Sequence, residues 1–187
     1  MKSEYYPWGG EFTACNQRGC VAVVLLNIDY TPCKDVAIYG PLKTENIGIE
    51  KIVANTISNP HIRYLVVCGN EIRGHRSGSS LVALNKNGID EQHRIIDAPG
   101  AIPYIENIDG EAIERFRSQI EVINLINIID KKQINKKIEE CIKKSPLSFG
   151  ESYIAIRLIP QAIFLGDKRA LHSKIVFDYL GKVKKRG

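Results

Sequence analysis

Hydrophobic positions follow two rhythms along this chain. Short unbroken apolar runs, Val21–Leu26 and Tyr64–Cys68, the second within the strand candidate Ile62–Cys68, read as strands buried on both faces, the pattern of a parallel sheet. Val36–Tyr39 is a further strand candidate, closed by Gly40-Pro41. From Thr44 the period lengthens. Ile47, Ile49, Ile52, Val53 and Ile57 recur near helical spacing, Thr44 or Asn46 supplies a cap, and Asn59-Pro60 stops the helix. A second helix is expected over Ser79–Asn87, with Gly88 as its stop. Gly110–Ile129 begins helical and turns strand-like. Asp130–Lys144 predicts an amphipathic surface helix, with Ile134, Ile138, Cys141 and Ile142 opposite its lysines. Three weaker patterns predict a short strand at Arg94–Asp97, an edge strand at Tyr153–Ile159 and a basic helix over Lys168–Arg186.

Strands alternating with helices predict an α/β, Rossmann-like fold: a mainly parallel sheet with helices on both faces. The expected division is a ligand-binding domain over 1–167 and a basic helix or tail over 168–187. With 187 residues there is room for one well-cored domain. Apolar residues at 44% and charged residues at 25% exclude a disordered, collagen-like or disulfide-stapled chain. The cysteines, at 15, 20, 33, 68 and 141, form no C-x-x-C pair, so free thiols in a reducing cytoplasm are expected rather than a structural zinc. No apolar run approaches the roughly 20 residues that span a bilayer, and the first residues do not form a signal peptide. The net charge of +5 is mild, and aromatic residues do not cluster with the lysines, so nucleic acid is not an expected partner.

Open parallel sheets bind ligands beyond the carboxyl ends of their strands. Three segments fall there: Gly40–Gly48, Gly69–Ser80 and the turn Gly100–Pro103. Gly69-x-x-x-x-Gly74 copies the first half of a phosphate-binding P-loop, but His75 and Arg76 stand where the lysine and the hydroxyl residue are needed. The dinucleotide pattern G-x-G-x-x-G is absent. What remains is the imidazole of His75 between glycines, open to three roles: metal ligand, general base or solvated surface residue. His61, His93 and His172 lack that setting. Ser79 and Ser80 have no nucleophile-elbow context. Glu45 can meet a polar ligand or simply favour a helix start.

The run Gly40-Pro41-Leu42-Lys43-Thr44-Glu45-Asn46 through Lys51, and its continuation to Asn107 with Gly74-His75-Arg76-Ser77-Gly78 inside it, strongly resembles the A subunit of tetrahydromethanopterin S-methyltransferase. The likeness is nearly unbroken over 40–107 and looser on both flanks. The resemblance implies a carrier of a cobalamin derivative, a 5-hydroxybenzimidazolyl cobamide, with His75 as the lower axial ligand of cobalt. By layout, Gly40, Pro41, Leu42, Lys43, Thr44, Glu45 and Asn46, then Gly69, Gly74, Gly78 and Ser79, and then Gly100, Ala101, Ile102 and Pro103 would contact the corrin and its tail. No residue is implied to be catalytic in its own right.

The implied activity is methyl transfer from methyl-tetrahydromethanopterin to coenzyme M through cobalt, with His75 binding and releasing once per cycle. The implied partners are the donor-binding and membrane subunits of the complex. Better-known cobalamin carriers place an aspartate two residues before the ligand histidine. In this chain that position is Arg73, so the imidazole's partner must come from elsewhere or be water. With no membrane anchor in the sequence, the expectation is a soluble homologue, cytoplasmic or peripheral at a membrane complex. Two other classes stay open: a P-loop-like phosphate or nucleotide binder, and a non-catalytic interaction module docking through Lys182–Arg186.

Overall fold

A computed structural model describes residues 5–155 and the backbone of 175–177 and 183–185. In chain order the elements are β1 (Thr13–Ala14), β2 (Val21–Leu25), β3 (Ile38–Pro41), α1 (Ile47–Ser58), β4 (Tyr64–Gly69), α2 (Ser77–Asn87), α3 (Gly110–Gln119), β5 (Glu121–Ile126), α4 (Lys131–Lys144), β6 (Ile175–Phe177) and β7 (Val183–Lys185). The chain divides into two units, Met1–Arg157 and Leu158–Gly187.

In the first unit five strands lie in the order β1-β3-β2-β4-β5. β3, β2, β4 and β5 run parallel, and β1 adds an antiparallel edge on β3. The β2–β4 register pairs Val21 with Tyr64 and Leu25 with Cys68. Because side chains alternate along a strand, this register sends Ala22, Val24, Leu65 and Val67 to one face. There they meet Ile49, Val53 and Ile57 of α1, Leu81 and Leu84 of α2, and Ile113 and Phe116 of α3. The intervening Val21, Val23, Val66 and Cys68 meet Ile134, Ile138 and Cys141 of α4. The fold is therefore the expected α/β sheet, mostly parallel and covered on both faces.

The helix ends are set locally. Asn46 accepts a hydrogen bond from the Ile47 amide at 2.8 Å, and Thr44 Oγ1 accepts one from Gly48 at 2.9 Å, so both expected cap residues act at α1. Asp109 and Asp130 cap α3 and α4 through the amides of Ala112 and Lys132.

Three expectations need correction. Arg94–Asp97 forms no strand; the segment holds only single bridges, Ile89 to Ile95 and Arg94 to Tyr104, because no sheet edge runs beside it. Tyr153–Ala155 is not a strand either, since the Tyr153 amide donates to Ile57 at the end of α1 instead of to a strand; 156–159 lie outside the described residues. Within 168–187, the described backbone at Ile175–Phe177 and Val183–Lys185 pairs as two antiparallel strands where a basic helix was expected. Both stretches carry β-branched residues, Ile175 and Val176 in the first and Val183 in the second, which favour strand over helix.

Candidate functional site

After β2 the chain moves to β3, and after β4 it moves to β5 on the other side of the sheet. The carboxyl ends of β2 and β4 therefore flank a point where the winding direction reverses, the usual place for a ligand in an open α/β sheet. Asn27 and Asn70 bridge the two strand ends there, with the Asn27 amide donating to the Asn70 carbonyl at 3.1 Å. Gly69 makes the turn out of β4 at φ +97°, and a Cβ on it would sit 2.7 Å from Ile28 Cγ2, so only glycine fits. The loop that follows folds into a turn in which the amides of His75 and Arg76 both donate to the Ile72 carbonyl at 3.3 Å. Gly74, His75 and Arg76 are exposed on this turn. Among the described residues, no group hydrogen-bonds the His75 imidazole.

Glu71 anchors the loop from beneath. Its Oε1 accepts the Ser79 amide at 2.7 Å, and its Oε2 accepts the Ser79 hydroxyl. The Arg76 Nε lies 3.8 Å from the same carboxylate. A carboxylate thus takes the first-turn amide of α2 and neutralises the positive end of the helix. In a P-loop that position belongs to a phosphate. In this chain its own Glu71 fills it, which counts against the phosphate reading.

The other two segments close on each other. The Glu45 side chain is buried, and its Oε1 accepts the Ile102 amide at 2.7 Å, tying the loop after β3 to the Gly100–Pro103 turn. The turn packs hard against α2. A Cβ at Gly100 would stand 2.0 Å from Glu45 Oε2 and 2.7 Å from Ser80 Oγ. Glu45 Oε2 is also the one buried side-chain oxygen or nitrogen among the described residues without a hydrogen-bond partner. A buried acceptor left without a donor costs about 1–3 kcal/mol. Glu50, one turn further along α1, is fully satisfied by the amides of Glu106 and Asn107 and serves structure.

The three glycine-rich segments of the sequence therefore meet on one rim, with distinct tasks for their residues. His75 and Gly74 stand exposed, and Ile72 and Ile102 expose 61% and 58% of their surface. Glu45, Gly78, Ser79 and Gly100 form the floor and its bonding. Ala101 is exposed and Pro103 buried at the ends of the turn. Asn46 is spent on capping α1, and Leu42 is buried in the core. Gly40, Pro41, Lys43 and Thr44 line a separate cavity between β3 and α1. Sequence reasoning missed Glu71 as the helix anchor, and it missed the cavity walls that Phe12 and Ile47 contribute. No three His, Cys, Asp or Glu side chains converge as a metal site among the described residues, so the rim offers a metal one imidazole.

Family comparison covers this rim in full. The family of the tetrahydromethanopterin S-methyltransferase A subunit matches residues 2–162. The chain belongs to this family. It is 54% identical over 153 residues to form 1 of the A subunit from Methanothermobacter thermautotrophicus, covering 80% of this chain and 64% of that protein. It is 47% identical to the A subunit from Methanocaldococcus jannaschii, again over 80% of this chain and 64% of that protein. Against form 2 of the A subunit from Methanobrevibacter ruminantium the identity is 45%, with 80% of this chain and 79% of the relative covered. The chain thus spans under two thirds of the longer relatives and more than three quarters of that shorter one. No helix among the described residues is long and apolar enough to cross a membrane.

Proposed function

We propose that this chain carries a corrinoid and acts as the methyl-carrying subunit of a tetrahydromethanopterin S-methyltransferase assembly. One observation carries the reading: a family member carries an exposed imidazole, unbonded among the described residues, in the loop that leaves β4 where the sheet reverses. A metal already held within a corrin would need a single donor from the protein, and His75 would supply it. The donor set of the rim fits that demand, where a bare metal ion would need a cluster.

His75 is the residue that would hold cobalt from below. The exposed Ile72 and Ile102 would lie against the flat apolar surface of the macrocycle. The chemistry supplied by the bound group is acceptance and release of a methyl at cobalt; the protein's part is to hold and orient it. Gly74 turns the chain before His75 at φ +94°, and a Cβ there would meet nothing within 4 Å, so the space beside the turn is open. The substrate pair of this reading is methyl-tetrahydromethanopterin as donor and the thiolate of coenzyme M as acceptor. Both are presented by partner subunits, with this chain cytoplasmic and peripheral to the membrane part of the assembly. The natural corrinoid is a 5-hydroxybenzimidazolyl cobamide.

The test is retention of colour. The protein is incubated with hydroxocobalamin, desalted, and its visible absorption compared with that of His75→Ala. Stoichiometric cobalt in the native protein, with a shifted spectrum or lost colour in the variant, is expected. A native protein that leaves the column colourless overturns the proposal.

A further inference from the structure

A metal-binding imidazole is usually oriented by a hydrogen bond on its second nitrogen. His75 has no such bond among the described residues, and what is fixed around it is the main chain. Gly74 and Arg76 flank it at φ +94° and φ +45°, both in the left-handed region. Arg76 is the unusual member of the pair, because a Cβ makes that region costly. Three bonds keep it there. Its amide donates to the Ile72 carbonyl at 3.3 Å, and its own carbonyl accepts the Ser80 amide and the Ser80 hydroxyl, each at 3.0 Å.

Arg76 is also the N-cap of α2, and its side chain caps nothing. Glu71 does that work from across the loop. Its side chain is only 10% exposed, and its two oxygens take the Ser79 amide and the Ser79 hydroxyl. Gly78 leaves the space for it, since a Cβ there would lie 3.2 Å from Glu71 Oε1 and 2.8 Å from Leu26 Cδ1. Both ends of this clasp are anchored. Ser79 belongs to α2, whose Leu81 and Leu84 are buried in the core, and the Glu71 amide donates to Asn127 Oδ1 beyond β5 at 3.3 Å. Residues 72–76, all exposed, are strung between two points joined by one carboxylate.

We infer that Glu71 is the positioning residue for His75, acting through the main chain and touching neither the imidazole nor the metal. The inference rests on the corrinoid reading. A loose loop must be ordered when its histidine meets a metal, and that lost entropy weakens the bond. A loop closed by Glu71 on Ser79 is ordered beforehand.

The test uses the full chain labelled with ¹⁵N-histidine and loaded with cob(II)alamin. Electron paramagnetic resonance then separates cobalt held by a protein imidazole, whose lines split into doublets, from cobalt held by the cofactor's own base, whose lines split into triplets. The native chain is compared with Glu71→Ala, Glu71→Gln, Ser79→Ala and Asp109→Ala, and thermal unfolding is followed for each. Asp109→Ala removes a cap of the same kind from α3, so it lowers helix stability without cutting the clasp. Glu71→Ala is expected to lower the ratio of doublets to triplets about tenfold, the scale of one hydrogen bond to a charged group. Ser79→Ala, which leaves the amide half of the clasp in place, is expected to lower it about threefold. Glu71→Gln still offers an oxygen to the Ser79 amide and is expected to recover most of the ratio, while Asp109→Ala keeps it. A native ratio in Glu71→Ala or Ser79→Ala, no recovery in Glu71→Gln, or an equal fall in Asp109→Ala overturns the inference and leaves His75 as the ligand. A native chain without doublets overturns the reading on which the inference rests.

Discussion

Single atoms decide what this rim can hold. Glu45 spends one oxygen on the Ile102 amide and leaves the other buried without a donor, and Gly100 is what makes room for that arrangement. Replacing Gly100 with Ala would drive a methyl to 2.0 Å from Glu45 Oε2, so the carboxylate or the turn must move. The expected outcome is a loss of about 1–3 kcal/mol in urea unfolding, in the range of overpacked sites, together with weaker corrinoid retention. Unchanged stability and retention would mean that Glu45 is not fixed as described. The sequence made the glycine segments legible because strand ends followed by Gly, Ser and polar residues mark ligand loops in parallel sheets. It could not make the Glu45–Ile102 bond legible, because the partners stand 57 residues apart and neither lies in a motif. The same holds for Glu71, whose carboxylate reaches forward to Ser79 only because the loop turns back on itself.

At the level of elements, the legible parts were those whose signal is local. The continuous apolar runs of β2 and β4, and the helical periods of α1 and α4, each carry their own evidence of burial. The two-residue β1 does not: Thr13 and Ala14 are exposed and become a strand only because β3 presents an edge. Arg94–Asp97 fails for the converse reason, a strand-like sequence with no edge to join. The alternation of β4 has a chemical consequence. It turns Cys68 into the core shared with α4, where burial pushes its thiol up to about 12 from an ordinary 9.0. Tyr30, in that core too, is pushed up by burial to about 12 from 10.0, and its hydroxyl donates to Asn135 of α4. Both groups hold their protons in the folded state more tightly than in the unfolded one. The stability they contribute is therefore complete below about pH 9 and is lost as pH climbs toward 12. Urea midpoints measured across that range should fall, and a level profile would contradict this packing of α4 on the sheet.

Across the first unit, the sheet separates holding from binding. At the amino ends of β4 and β5, Phe149 is stacked between Arg63 and Arg115, whose guanidinium carbons lie 5.0 and 4.7 Å from the ring. This closes that edge with cation–π contacts. The opposite edge carries the glycine loops, the exposed imidazole and the neighbouring cavity. The central proposal is that His75 is the protein's ligand to cobalt. The most direct measurement is electron paramagnetic resonance of the cob(II)alamin-loaded chain, prepared with natural-abundance and with uniformly ¹⁵N-labelled histidine. An axial nitrogen from the protein would split the cobalt lines into triplets in the first sample and doublets in the second, and His75→Ala would remove the doublets. Triplets that persist in the labelled protein would mean that the cofactor's own base holds the metal and that His75 does not.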